Sequence, residues 1–295
     1  MSSQIEEAIR TADRGIALAI EVDDFFDHAM SQFFKGWALL HSGRWDELLL
    51  LINDAERLAA RNEHYLWKTL FSLELAWLHL LCGSIATAES ICRQALEHVK
   101  QTRHAYTHLM ASTLLGHVLL SRNDVDGGLN TFLEVVDRIS KQRVLMDWIW
   151  EMPLRLGLAR AWLNRRNFEN ARRNAERALN IAEQPHEQTY MALACAMLAD
   201  ISSEEGNLAA ADTHAATAIE IVETSELPLA AERVYLVARK LCHAQRKVKR
   251  ANQWLNRARE VRQQLVDSVQ SVPVLRESML ETRLDNRAHR ERGTA

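Results

Sequence analysis

The feature that most constrains this chain is a segment of about forty residues that recurs six times. Each segment contains two stretches of helical apolar periodicity joined by a short turn. The second residues of the six turns are separated by steps of 40, 40, 43, 40 and 40. They are Gly43, Gly83, Asn123, Arg166, Gly206 and Arg246. A constant period of this size is typical of a solenoid of stacked helix pairs, so it predicts one continuous all-α array.

Small residues recur at fixed places on both sides of the turn. Before the turn they are Gly36, Ala76, Gly116, Ala159 and Ala199. Twelve positions after the second turn residue they are Ala55, Ala95, Ala178, Ala218 and Ala258, with Val135 as the exception. Because small side chains let helix axes approach within about 8–10 Å, these positions predict the packing seams of the array.

The units resemble the tetratricopeptide repeat (TPR), and the resemblance covers nearly the whole chain. It implies a right-handed superhelical solenoid of antiparallel helix pairs. The period is longer than the usual repeat of about 34 residues. In this respect the chain is similar to the C-terminal sensor arrays of large bacterial signalling ATPases of the maltose-regulator type. The residues that carry these resemblances are the string Phe34–Trp45, Ala55, Gly116, Asn123 and Gly128.

The same register divides the chain into three parts. Residues 1–22 form a half repeat that contains only a second helix, residues 23–271 form six helix pairs, and residues 272–295 form a C-terminal capping helix and tail. The half repeat has two interpretations: either Met1 marks a cut through a longer protein, or the open face of its helix is an interface. In the last part, the pair Val272-Pro273 predicts a helix break, and the charged stretch Leu275–Arg290 predicts a solvated helix.

Composition and missing motifs exclude several classes of function. The net charge of −3 gives no general attraction to nucleic acid or anionic membranes. No apolar run approaches the ~18 residues of a membrane span, and the polar start does not resemble a secretory signal. Cys82, Cys92, Cys195 and Cys242 form no Cys-x-x-Cys pair and suit buried thiols in a reducing cytosol. Phosphate-binding, dinucleotide-binding and nucleophile-elbow motifs are absent, so we expect a cytoplasmic protein without enzymatic activity or cofactor.

The TPR resemblance implies which first-helix positions face the inner groove of the array. A protein or peptide partner would bind there, and a small-molecule effector is a further possibility. The alternative is that the longer helices bury both tryptophans of this set in the core. The implied groove residues are Phe33, Trp37, Leu73, Trp77, His117, Arg160, Asp200, Lys240 and His243.

Other candidates have simpler interpretations. Nine basic residues and one acidic residue lie between Arg239 and Arg262, which suggests either a site for an acidic partner or nucleic acid, or a solvated last unit. His104 and His108 have a spacing that can chelate a metal, but structural roles are commoner, and we expect no metal. Trp148 and Trp150 cannot share a helix face, so we expect one buried and one half-exposed. The core of the basic patch is Arg246, Lys247, Lys249 and Arg250.

These observations favour a regulatory interaction module, the sensor part of a larger bacterial signalling or transcription-regulating protein. The main alternative is a free-standing adaptor or scaffold that self-associates through the first helix. A nucleic-acid-contacting array is a weaker alternative, because only Trp254 accompanies the basic residues as a stacking side chain.

Overall fold

The computed structural model describes residues 4–144 and 146–281. Within these ranges the chain forms fourteen α-helices and no strand, which confirms the prediction of an all-α repeat array. Helices adjacent in sequence pack against each other as antiparallel pairs of similar length. The helices are α1 (Gln4–Glu21), α2 (Phe25–Ser42), α3 (Trp45–Arg61), α4 (Tyr65–Cys82), α5 (Ile85–Thr102), α6 (Ala105–Ser121), α7 (Val125–Lys141), α8 (Trp148–Asn164), α9 (Phe168–Glu183), α10 (Gln188–Glu204), α11 (Leu208–Ser225), α12 (Pro228–Ala244), α13 (Val248–Asp267) and α14 (Pro273–Glu281).

The turns from α1 to α13 each contain a residue in the left-handed region of backbone space. The second turn residues predicted from the repeat are all among them. In the turn between α2 and α3, the Gly43 N–H donates to Leu40 O at 3.3 Å and the Arg44 N–H donates to Leu39 O at 3.0 Å. This is the Schellman pattern that ends a helix. The left-handed residues are Asp23, Gly43, Glu63, Gly83, Arg103, Asn123, Met146, Arg166, His186, Gly206, Glu226 and Arg246.

The spacing of these residues shows that each unit consists of two halves of about twenty residues, with a longer step of 23 only between Asn123 and Met146. Only three of the left-handed positions are glycine. Since a left-handed conformation costs a non-glycine residue about 1–2 kcal/mol, the packing of the flanking helices must hold most of these turns in place.

The helices form two compact units. The first contains the chain up to Ala111 together with Leu265–Glu281, and the second contains Ser112–Gln264. In the first unit, α4 packs against α2, α3, α5 and α14. In the second unit, α10 has the most extensive packing and contacts α8, α9, α11 and α12. The apolar interior of each unit therefore lies around the first helix of a pair, α4 in the first unit and α10 in the second.

Helix glycines allow the closest approach in the second unit. A Cβ atom added to Gly116 on α6 would lie 2.4 Å from the ring of Phe132, and one added to Gly157 on α8 would lie 2.3 Å from the same ring. Phe132 on α7 is itself fully buried. The two glycines thus make room for one aromatic ring between α6 and α8. Gly116 was a predicted seam position, whereas Gly157 was not.

The predicted C-terminal helix is solvated over most of residues 273–281 but buries two apolar side chains. Leu275 and Met279 are each 1% exposed, because α14 packs against α4 in the first unit. Alternating charges suggested a free helix, but the two apolar residues are four positions apart and share a face. The rest of the predicted helix, from residue 282, lies outside the described residues.

The first helix has an open face where the corresponding helices of later units are covered. Ala8 is exposed, whereas Ala88 and Ala211, at the same place in their units, are fully buried. Leu18 is 62% exposed, whereas the equivalent Leu58 is partly buried. Within the described ranges, α1 packs against α2 and leaves this second face uncovered.

The left-handed turns give a test of backbone strain. Gly206 has φ of +83° and open space around the position of an added Cβ, so Gly206→Ala should lose about 1–2 kcal/mol of stability from the backbone alone. His186→Gly should not destabilise, because the strain that it removes exceeds the roughly 0.5–1 kcal/mol entropic cost of glycine. Urea unfolding midpoints of both variants measure this difference. A neutral Gly206→Ala together with a destabilised His186→Gly would contradict the assigned turns.

Candidate functional site

The predicted groove residues of the first two pairs form an aromatic cluster in the first unit. Trp37 on α2 and Trp77 on α4 meet edge to face, with ring centroids 5.6 Å apart and planes at 77°. Phe33 lies one helical turn before Trp37, and its ring is 6.4 Å from that of Tyr106 on α6. The forty-residue spacing therefore brings the two indoles into contact, although as an edge-to-face pair and not as a parallel stack.

Most of this cluster is enclosed. Phe33, Leu73 and Trp77 are 4%, 0% and 7% exposed, and Trp37 is partly exposed. Burial is what the core interpretation of the tryptophans predicts. However, α4, which carries Leu73 and Trp77, also packs against α14, a helix that follows it by nearly two hundred residues in the sequence. Part of α4 is thus covered by the C-terminal segment and not only by the repeat itself.

A carboxyl group without a hydrogen-bond partner lies next to this cluster. Glu74 is 1% exposed, and neither of its carboxyl oxygens has a hydrogen bond. A Cβ added to Gly36 on α2 would lie 2.6 Å from its Oε2, so α2 and α4 approach closely at this point. Burial raises the pKa of Glu74 well above its usual value, because the charged form would lose its hydration. Burial therefore favours the neutral form of Glu74 in the folded protein.

Sequence reasoning missed Glu74, although the repeat contains a signal for it. In the other five units the equivalent position is never charged. The residues there are Phe34, Leu114, Gly157, Met197 and Val237.

Three of the predicted residues meet in a charged cluster in the second unit. Asp200 on α10 is 2% exposed and receives a hydrogen bond from Lys240 Nζ at 3.0 Å. Arg160 lies 3.6 Å from the same carboxylate, and Arg233 donates to it at 3.0 Å. Lys240 also contacts Glu204 at 2.8 Å. The cluster therefore contains the carboxylates of Asp200 and Glu204 and the cations of Arg160, Arg233 and Lys240.

The cluster is stabilised by its own charges. Burial would lower the pKa of Lys240, but the nearby carboxylates of Asp200 and Glu204 outweigh it and raise that pKa above its usual value. Lys240 is thus firmly protonated. The repeat register predicted Arg160, Asp200 and Lys240 but not Arg233, which lies outside the series of equivalent positions.

A second buried carboxylate in this unit was not predicted. Glu151 on α8 is 2% exposed and is contacted by Arg155 at 3.0 Å, Arg143 at 3.3 Å and Arg177 at 3.4 Å. Burial would raise the pKa of Glu151, but the hydrogen bond and charge of Arg155, with the other arginines, hold it below the usual range. This carboxylate ties α8 to α9.

The remaining predicted residues divide between packing and solvent. His117 on α6 is partly buried, and its Nε2 donates to Pro153 O at 2.9 Å. Burial lowers the pKa of His117 to about 4, so the ring is neutral near pH 7 and joins α6 to α8. His243 is exposed. Trp150 is fully buried and Trp148 is 37% exposed, as predicted from their spacing.

The basic patch is solvated, since Arg246, Lys247, Lys249 and Arg250 are all exposed. Trp254, its one aromatic neighbour, stacks on Tyr235 with ring centroids 5.5 Å apart. The Arg257 guanidinium lies over both rings. Trp254 is therefore engaged within the protein and does not offer a free face for base stacking.

Potential metal ligands and thiols have structural surroundings in the described ranges. No group of three or more His, Cys, Asp or Glu side chains there could hold a metal ion. His104 Nδ1 accepts a hydrogen bond from the Thr107 backbone N–H at 3.3 Å, a capping role at the start of α6. Burial raises the pKa of Cys92 to about 12 and that of Cys195 to about 11, so these thiols are unreactive. No helix in the described part of the chain is long and apolar enough to cross a membrane.

Paired helices, left-handed turns and a repeated register define a helical repeat array of the TPR type. Such arrays are typically non-catalytic and generally mediate protein–protein interactions. A family model described as the MalT-like TPR region matches residues 75–290. The chain therefore belongs to the MalT-like TPR family.

Two other comparisons were made. A search of curated proteins gave no match to the chain. Among solved structures, the chain is similar to the crystal structure of a tetratricopeptide repeat protein from Parabacteroides merdae, with 16% sequence identity and a TM-score of 0.48. That alignment covers 93% of this chain and 98% of the other.

The neutral Glu74 predicts an unusual dependence of stability on pH. A pKa that is raised in the folded state contributes most stability below the unfolded value of about 4.5, and this stability is lost as pH rises towards the folded value. Glu74→Met should therefore raise the free energy of unfolding at pH 7, by roughly 1–4 kcal/mol, and flatten its pH dependence. Urea unfolding between pH 4 and pH 8 measures both effects, and Glu97→Met, at an exposed position, is the control. An unchanged slope in Glu74→Met would show that Glu74 ionises normally.

Proposed function

We propose that this protein is a regulatory interaction module that binds a protein or peptide partner through the inner positions of its helix pairs. The observation that carries this proposal is the match of the MalT-like TPR family over most of the chain. The proposed context is the cytoplasmic sensor region of a larger bacterial signalling or transcription-regulating protein. A small-molecule effector at the same positions is the second possibility.

The inner positions that solvent reaches are chemically suited to a mixed apolar and charged partner. Trp37 is partly exposed, and tryptophan is enriched at binding hot spots because it buries a large area at low entropic cost. In the other unit, the Arg160 and Lys240 side chains are 16% and 31% exposed at the edge of the Asp200 cluster. His243 adds an exposed polar group. Each unit thus offers a contact of its own: an aromatic side chain in the first unit, and paired cations in the second.

Regulation requires that the partner distinguish two states of the module. A ligand shifts a conformational equilibrium only by the difference between its affinities for the two states. The buried polar groups provide a source of such a difference in affinity. A change in the surroundings of Glu74 or Asp200 alters the free-energy cost of burying that side chain. The bound state would then be passed to an effector domain outside this chain.

Site-specific photo-cross-linking tests the proposed surface. A photoreactive phenylalanine analogue replaces Trp37 in one variant and His243 in another, in the source cell. We expect each position to capture a partner, which is then identified and purified. The control positions are Leu50 and Tyr65, which are 65% and 68% exposed and are not predicted groove positions. Trp37→Ala should weaken binding of that partner at least tenfold, as expected for a hot-spot tryptophan. Equal capture from the control positions, or unchanged binding by a folded Trp37→Ala, would reject the inner surface.

The open face of α1 favours a second candidate, self-association. Leu18 and Ala8 are exposed there, although the equivalent positions of later units are covered by a neighbouring helix. If this face joins two copies, static light scattering should give a mass that rises above 33.7 kDa with concentration. Leu18→Arg should return the mass to that of one chain. A constant mass for the unmodified protein would exclude this candidate.

A further inference from the structure

The C-terminal segment is attached to the first unit by a specific set of hydrogen bonds. The Asp46 carboxylate accepts backbone N–H bonds from Gln270 at 3.0 Å and Ser271 at 2.9 Å, and the Ser271 hydroxyl also donates to it. In return, the Asp46 N–H donates to Ser268 O at 2.7 Å. Asp46 lies in the first turn of α3. This single residue is therefore both a hydrogen-bond acceptor and a hydrogen-bond donor to the segment. Below, residues 268–281 are called the C-terminal hook.

Apolar contacts complete the attachment. The helix of the hook, α14, packs against α4 and buries Leu275 and Met279, each 1% exposed. Its opposite face is solvated, with Val274 62% and Leu280 54% exposed. Val269, in the extended part of the hook, is also fully buried. The hook is therefore a short extended stretch followed by a two-turn amphipathic helix.

The hook lies against the helix that carries the proposed binding residues. On α4, the consecutive residues Ala76, Trp77 and Leu78 are all buried, so this helix is enclosed on more than one face. The neighbours α2, α3 and α5 belong to the repeat, whereas α14 is a contact of α4 that the repeat does not provide. An inner helix of a repeat array would otherwise present one face to a partner.

We infer that the C-terminal hook is an internal mimic of the partner, and that a partner segment of the same chemistry competes with it for Asp46 and for the surface of α4 that α14 covers. The chemistry is read from the hook itself. The partner offers two successive backbone N–H groups to the Asp46 carboxylate, followed by a short helix with apolar residues at positions i and i+4. This inference rests on the proposed function and specifies its partner class and its regulation.

Tethering gives this arrangement its regulatory character. Because the hook is part of the same chain, it binds at a high effective concentration, and a free segment of equal intrinsic affinity competes poorly with it. A partner therefore gains access only if it binds more tightly than the hook or if the hook has been released. In the resting protein, the bound hook excludes weak partners of the same kind.

A peptide added in trans tests this inference in the full-length chain. The probe is a fluorescent synthetic peptide of residues 268–281, and its binding is followed by fluorescence anisotropy. Leu275→Glu with Met279→Glu should release the hook and allow the peptide to bind at least tenfold more tightly than to the unmodified protein. The matched control is Val274→Glu with Leu280→Glu, which places the same charges on the exposed face of the same helix and should bind no better than the unmodified protein.

Two further variants keep the result decisive. Ser271→Pro removes the backbone and hydroxyl donors of Ser271 without changing α4. It should therefore also increase peptide binding, and it serves as the test if the double glutamate variant does not fold. Asp46→Ala, combined with a released hook, should reduce peptide binding by about tenfold, because it removes the charge-assisted acceptor. Equal peptide binding by all of these variants and the unmodified protein would overturn the inference. That outcome is distinct from failure of the proposed function, in which the peptide results hold but no partner cross-links to position 37.

Discussion

The whole arrangement depends on a left-handed turn residue that ends a helix about every twenty positions. The helices α2 to α13 therefore begin and end in the same register. For this reason, residues forty positions apart occupy equivalent places on the first helices of successive pairs. This is why Trp37 meets Trp77 in one unit and why Arg160, Asp200 and Lys240 meet in the other. A helix one residue longer would rotate its following positions by about 100° and separate these side chains.

The inner positions also carry acidic groups that a simple apolar core would not contain, and their surroundings decide their charge. Glu74 has neither a cation nor a hydrogen bond near it, so burial keeps it protonated. Asp200 is equally buried, but three cations stabilise its charge. A rearrangement around either carboxylate changes the free-energy cost of burying it, because Asp200 would lose its ion pairs and Glu74 would meet different neighbours.

The repeat made much of this predictable from sequence alone. The turn residues and most inner positions follow from the period, since each pair repeats the geometry of the one before. Features outside the period could not be found in that way. Arg233 joins the Asp200 cluster from a position outside the series, and no local pattern links Asp46 to Ser271, which is 225 residues away. The stretch from Leu275 was expected to form a solvated helix because its charges are conspicuous in the sequence, whereas α4, against which α14 packs, is distant in it.

Hydrogen–deuterium exchange of the unmodified protein tests the central claim, which is that the C-terminal hook stays bound to Asp46 and α4. We expect slow amide exchange for Gln270, Ser271 and the α14 residues through Met279, at rates comparable with those of the α4 amides. Exchange of residues 268–281 at the rate of an unstructured peptide, with α4 protected as before, would contradict it.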